Sequence, residues 1–221
     1  MIERYNLRER LVHWLAALTY LYLLATGLAF YSPHFYWLAQ VLGGGPTSRF
    51  WHPIMGLVFV ATVITMWVDW RRDMVITKGD KEWEKAIKFY VTHQDDKVPP
   101  AGKFNAGQKQ FFWIMLFAGL LLLLTGSVLW WSELLPWNLR WLRYASVLLH
   151  VTAFLATVAG FIVHVYMGVF VIPGGLKAMT TNYIPKEWVA EHHPLWLAKV
   201  EAESFETGHL QRPDPKAAGR H

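Results

Sequence analysis

Four of the ten histidines, His13, His52, His150 and His164, stand inside long uncharged apolar stretches of this 221-residue chain. Imidazole has chemistry to offer in such a setting: when neutral, it presents one nitrogen that donates a hydrogen bond and one lone pair that binds a metal. An ionisable group within an apolar span is a functional candidate by default, although a single histidine near a helix end also serves as an interfacial hydrogen-bonding residue. The chain has no cysteine, which excludes disulfides, thiolate-bound iron–sulfur clusters and a covalently attached c-type haem. Zinc and copper also take histidine, but zinc wants three or four protein ligands at one point. Where the four imidazoles stand relative to one another therefore decides what they can bind.

The stretches that carry them are long enough to be transmembrane helices. Charge-free runs occupy residues 11–30, 51–68, 111–131 and 144–172, in a chain that is 54% apolar and 17% charged. An ordinary soluble domain carries roughly 25% charged residues. A bilayer core takes about 20 apolar residues per helix, and lipid offers backbone N–H and C=O groups no partner outside their own helix. The sequence predicts an all-α, integral membrane four-helix bundle, with one domain over residues 1–206 and a flexible polar tail over 207–221. Of the 21 Lys and Arg, three fall in residues 1–10, nine in 69–110 and six in 173–221, against one in 31–50 and two in 132–143. The positive-inside bias puts both termini and the long middle loop in the cytoplasm. The net charge of +5 then needs no nucleic acid, because the basic residues border apolar runs instead of forming a basic face. The first run reads as a spanning helix rather than a cleavable leader. It exceeds the ~7–15 residues of a leader's apolar region and contains His13, Trp14 and several Tyr. Two amphipathic surface helices are expected, from Lys78 to Val91 and from Lys186 to Ala202.

Because successive helices run in opposite directions, His13 and His164 fall near the inner surface and His52 and His150 near the outer one. On the fourth helix His150 and His164 are 14 residues apart, about 21 Å along the axis and within roughly 40° of one face. Each has one partner at its own depth. Paired neutral imidazoles on facing helices are a means of holding a b-type haem by both axial positions without a covalent bond. Two separated pairs suit haem better than zinc, and two haems at two depths would form an electron path across the bilayer. Gly56, four residues after His52, and Gly160, four before His164, leave room for a flat macrocycle; close helix packing is the other use of such glycines. Arg49 or Arg143 outside, and Arg8 or Arg10 inside, are available to haem propionates. A non-haem membrane anchor with interfacial histidines and a small metal-ion carrier stay open on these residues.

These positions belong to longer strings: Val12-His13-Trp14, Trp51-His52-Pro53, Gly102-Lys103-Phe104-Asn105-Ala106-Gly107-Gln108-Lys109, Arg143-Tyr144, His164-Val165-Tyr166-Met167, and Trp188 with His192-His193-Pro194. With them the chain resembles the di-haem cytochrome b (gamma) subunits of membrane-bound formate dehydrogenases over residues 4 to about 200. The 102–109 string is the most specific part, with Phe104 where the family often has Tyr. Cytochromes b of hydrogenases and sulfur-compound oxidoreductases share the paired histidines and match that string less well.

The resemblance implies two haems b, an outer one on His52 and His150 and an inner one on His13 and His164, in a bacterial cytoplasmic (inner) membrane. It implies as partners an iron–sulfur beta subunit on the outer face and a molybdenum or tungsten alpha subunit that oxidises formate, in a complex open to higher oligomers. This chain would then be a quinone-reducing subunit, not the formate-oxidising one. Its quinone, menaquinone or ubiquinone, would bind near Asn105, Gly107, Gln108 and His164. Asn and Gln amides suit that role, because quinone carbonyls need donors and an uncharged donor costs less at a membrane. Asn105 is equally suited to cap the third helix, with Gly107 in its first turn. His192 and His193 read as surface residues, with contact to the inner haem or proton relay as alternatives; His34 and His93 read as solvated.

Overall fold

Short polar signals start the helices. In the computed structural model, which describes residues 1–207, helix α1 (Leu7–Tyr31) opens on a reciprocal cap. The Glu9 N–H donates to Asn6 Oδ1 at 2.9 Å, and the Asn6 N–H donates to Glu9 Oε2 at 2.8 Å, satisfying amides that have no partner inside the helix. Pro33 lacks an N–H and holds Ser32 extended, which ends α1. After the short α2 (Tyr36–Val41), Gly44 at φ 95° and Pro46 set the start of α3 (Gly45–Trp70). Helices α4 (Lys78–Lys85) and α5 (Ile87–Val91) precede α6 (Ala106–Trp130) and α7 (Arg140–Val165). The chain continues through a π-helical turn at Tyr166–Val171 into α8 (Gly175–Thr180), α9 (Lys186–His192) and α10 (Pro194–Glu206). Two-residue strands at Ile2–Glu3 and Tyr183–Ile184 complete the elements among the described residues.

The all-α expectation holds, and four segments are long and apolar enough to span a membrane: Leu7–Tyr31, Gly45–Trp70, Ala106–Trp130 and Trp137–Val171. Each reaches past its uncharged run by several residues at one or both ends, because caps and interfacial aromatics extend helices beyond the purely apolar core. Both expected surface helices are broken in two. The first breaks at Ala86, between α4 and α5. The second breaks at His193, where Pro194 disfavours the helical conformation for the residue before it. The expected tail lies, from residue 208 on, outside the described residues.

By its contacts the described chain divides into two compact units: residues 3–74 with 110–182, and residues 1–2 and 75–109 with the segment from Tyr183 onward. In the first, α1 and α3 pack antiparallel. Arg8 reaches Asp69 at 2.9 Å, and the Trp70 indole N–H donates to Glu9 one helical residue away. Tyr20 packs between Phe59 and Phe161, at centroid distances of 5.6 and 4.9 Å. Leu18, Phe117, Leu124, Leu148 and Ile162 face outward, between 61% and 71% exposed, as lipid-facing side chains of a multi-pass membrane protein do.

In the second unit, polar ties join segments distant in sequence. The Lys109 ammonium donates to Asp80 at 2.8 Å and to the Val75 carbonyl at 3.0 Å. Leu195 N–H donates to the Ala101 carbonyl at 3.2 Å. Burial alone would lift the Asp80 carboxyl, but hydrogen bonds from Lys109 and from the Thr77 amide and hydroxyl hold it below the usual carboxylate range.

Candidate cofactor site

Helix α7 carries His150 and His164 on one continuous helix, α1 carries His13, and α3 carries His52. The structure brings them together in two pairs. The His52 and His150 rings lie with centroids 6.5 Å apart, tilted by 51°. Those of His13 and His164 lie 6.2 Å apart, tilted by 54°. A metal–imidazole bond is about 2.0–2.1 Å, and an imidazole centroid sits about 1.2 Å from its nitrogen; two rings on opposite sides of one metal ion therefore stand about 6.4 Å apart. Both pairs are at that spacing. Among the described residues no three His, Cys, Asp or Glu converge to hold a metal ion. Each pair thus offers two imidazoles to one metal ion, and lacks the three or four converging ligands of a zinc site.

The His52–His150 pair is oriented by two threonines that the sequence did not single out. Thr26 Oγ1 donates to the Tyr22 carbonyl at 2.8 Å and lies 2.6 Å from His52 Nδ1. Thr125 Oγ1 donates to the Leu121 carbonyl at 2.7 Å and lies 2.9 Å from His150 Nδ1. A hydroxyl has one proton, and each here gives it to a helix carbonyl, so each must accept from the imidazole. Both histidines then carry their proton on Nδ1 and present the Nε2 lone pair for ligation, the tautomer a haem iron requires. The available signal was a threonine on each neighbouring helix at the depth of a histidine. It is weak by itself, since threonines are common in such helices.

The other pair is held differently. His164 stacks on Phe111, with centroids 4.4 Å apart and planes within 3°. His13 has a buried Nδ1 without a hydrogen-bond partner in the structure, an unmet polar atom beside the second imidazole. A Cβ on Gly56 would meet nothing within 4 Å, so the face of α3 one turn from His52 is open. Gly160, in contrast, packs against the Phe111 ring at 3.5 Å, which is ordinary helix packing. Gly126, not noticed in the sequence, matters more: a Cβ there would come within 3.2 Å of His150 Cε1. Pro53, next to His52, sits inside α3 and leaves the carbonyl four residues earlier without its helical N–H. Of the basic residues considered for propionates, Arg8 is paired with Asp69, and Arg10 donates to the Met179 and Thr180 carbonyls. Arg49 and Arg143 are exposed.

Asn105, Gly107 and Gln108 belong to the second unit, where they form the start of α6. The Gln108 N–H donates to Asn105 Oδ1, and the Asn105 N–H to Gln108 Oε1, both at 3.0 Å. The expected cap is therefore present, and it is a reciprocal one. It uses the two amide oxygens. Asn105 Nδ2 donates to the Tyr90 hydroxyl at 3.3 Å, and among the described residues Gln108 Nε2 has no acceptor. Capping and presentation of N–H donors to a ligand are thus compatible in one loop.

His192 and His193 are not surface residues. His193 is 1% exposed and its Nδ1 bonds the Gly102 carbonyl at 2.7 Å. His192 stacks on Trp188 at 4.5 Å and 7°. The break before Pro194 turns the chain back onto the 101–102 backbone, and the histidines are buried in that turn. His34 and His93 are exposed, as expected.

The sequence pattern of the prokaryotic cytochrome b561 family matches residues 4–182. The chain is 32% identical over 200 residues to the cytochrome b556(fdo) subunit of formate dehydrogenase from Escherichia coli K12, covering 90% of this chain and 93% of that protein. It is 29% identical to the cytochrome b556(Fdn) subunit of the nitrate-inducible formate dehydrogenase of the same organism, over 91% and 92% of the two chains. With the formate dehydrogenase cytochrome b556 subunit of Haemophilus influenzae the identity is 30%, over 91% and 87%.

Proposed function

The chain belongs to the prokaryotic cytochrome b561 family, membrane proteins that transfer electrons through haem b, and on that footing we propose that it is the electron-transferring subunit of a formate dehydrogenase. It takes electrons from an iron–sulfur partner on the outer face of a bacterial inner membrane, itself supplied by a molybdenum or tungsten formate-oxidising subunit. The observation that carries this reading is the pair of imidazole–imidazole spacings, 6.5 and 6.2 Å, each that of two axial ligands on one iron. His52 and His150 hold the outer group, and His13 and His164 the inner one. Thr26 and Thr125 fix the outer tautomers, and Phe111 fixes the plane of His164. Two haems b bound there supply one-electron carriers spaced across the membrane.

Quinone binds at Asn105, Gly107 and Gln108. This assignment is supported by the residue types and by the sequence resemblance, together with the uncommitted Gln108 Nε2. With both termini cytoplasmic, as the Lys and Arg distribution favours, electrons move inward while quinone takes protons from the cytoplasmic side, so turnover separates charge without a dedicated pump.

A reduced-minus-oxidised spectrum of the purified complex, with haem quantified per chain, tests the assignment. Two haems b, reoxidised on adding a soluble quinone, are expected. A colourless chain, or haem that quinone does not reoxidise, would refute it.

A further inference from the structure

A cavity of about 220 Å³ lies within the second unit, lined by Trp83, Tyr90, Asp95, Glu191 and His192, with the Val98–Ala101 backbone as one wall. The quinone assignment leaves it unused. At roughly 30 Å³ per water molecule it has room for about seven. Its walls grade from wet to dry: the Glu191 side chain is 54% exposed and that of His192 6%, while Tyr90 is 7% exposed and Asn105 4%. The titratable groups that line it are Asp95, Glu191, His192 and Tyr90. His192 Nδ1 is bonded to the Trp188 carbonyl at 3.1 Å, so Nδ1 is the donor and Nε2 the nitrogen left to take up a proton. The Tyr90 ring stands edge-on to His192 at 6.3 Å, and its hydroxyl accepts from Asn105 Nδ2 at 3.3 Å. Trp83 forms the other contact with the loop, since a Cβ on Gly107 would lie 3.6 Å from its ring. Two cavity-lining side chains thus touch two residues assigned to the quinone.

We infer that this cavity is the vestibule through which protons reach the quinone, with His192 as the group that collects them and Tyr90 as the residue that positions the Asn105 amide at its inner end. The inference rests on the quinone assignment above. Reduction of one quinone consumes two electrons, delivered from the formate-oxidising partner, and two protons, taken from water on the vestibule side; both carbonyl oxygens become hydroxyls. Asp95 and Glu191 at the rim attract protons, His192 takes each one at Nε2, and water in the cavity carries it inward. His192 is a proton-handling residue here and Tyr90 a positioning residue that acts through Asn105, and neither is assigned contact with the quinone.

The test uses the whole complex with formate and a soluble quinone. His192→Gln and Tyr90→Phe are expected to slow quinol formation at least tenfold and to raise its solvent isotope effect. Formate should still reduce the haems at the unaltered rate when quinone is withheld. A His192→Gly variant should regain activity with added imidazoles, in proportion to their basicity, which a purely structural histidine would not do. Proton uptake followed with an indicator dye should slow in step with quinol formation. If His192→Gln and Tyr90→Phe keep the wild-type rate, isotope effect and pH profile while Gln108→Ala abolishes quinone reduction, the vestibule is refuted and the quinone assignment stands. If Gln108→Ala leaves quinone reduction intact, the quinone assignment itself fails.

Discussion

The two units of this chain differ in where their buried polar groups find partners. In the spanning unit, buried and half-buried hydroxyls bond up their own helix: Thr19 to the Leu15 carbonyl at 2.8 Å, Thr26 to Tyr22 at 2.8 Å, Thr125 to Leu121 at 2.7 Å and Ser127 to Leu123 at 2.8 Å. In the other unit Thr92 and Ser204 do the same, but its most buried polar side chains reach partners distant in sequence, as between Lys109 and Asp80 at 2.8 Å, or His193 and the Gly102 carbonyl at 2.7 Å. The difference follows from solvent. Surrounded by lipid, a side chain has little but the carbonyl one turn back, so its polarity is spent locally. A hydroxyl that gives its proton to that carbonyl still has lone pairs, and in Thr26 and Thr125 these orient the imidazoles. The unit without a spanning helix has instead to choose among many partners, and its shape depends on which ones it finds.

The strongest way to break this comparison is to remove one imidazole. His150→Ala is expected to eliminate the outer haem, taking the content from two per chain to one, while the band assigned to His13 and His164 survives. Quantifying haem per chain with a difference spectrum checks this. Equal loss from both sites would mean that the pairs are not independent, and that the spanning unit is as interdependent as the other.

The second unit should fail through charge. The Asp80 and Lys109 side chains are each 9% exposed, and breaking a buried pair by removing one partner costs about 3–5 kcal/mol, because the remaining charge is stranded. Lys109→Met is therefore expected to raise hydrogen exchange in α4 and the start of α6 while leaving haem content unchanged. Acid supplies the sign. The Asp80 carboxyl is held below its usual range, so its stabilisation is full above the unfolded value of about 3.9 and is lost as pH falls through the folded value. In wild type, acidification should loosen this unit. In Lys109→Met, where the stranded carboxylate is better protonated, mild acid should tighten it. The same direction in both proteins would contradict the pairing.

This contrast also explains what could be read in advance. The four spans, the four histidines and their pairing by depth were legible, because uncharged length and helical periodicity are local properties and lipid enforces them over whole helices. The cap at Asn105 was legible for the same reason, its partner being three residues on, although the reciprocal bond from Gln108 was not foreseen. The burial of His192 and His193 was not. For His193 it depends on a backbone carbonyl 91 residues away, which no local pattern announces. The breaks at Ala86 and His193 were also missed; Pro194 marks the second, but amphipathic spacing continues across it. Thr26 and Thr125 fall between these cases. Their residue type is local information, but their role depends on a neighbouring helix.

Those threonines allow the finest adjustment of the comparison. Thr125→Val keeps the branched shape in a position that is 5% exposed but removes the oxygen that accepts from His150 Nδ1. The ring then loses the hydroxyl partner that helps fix its tautomer. Loss of such an outer hydrogen bond typically weakens metal affinity or activity by about 10–100-fold, far less than loss of the ligand. Haem retention during titration with an apo-acceptor protein is the measurement, with Thr125→Ser expected to restore most of the affinity because it retains the hydroxyl. Thr26→Val should act on the same haem from the opposite side, and the inner haem should respond to neither. His13 Nδ1 has no such hydroxyl partner, so orientation by threonine belongs to the outer pair alone. A shift at the inner haem in either variant would mean that the two sites are coupled through the helices that carry them.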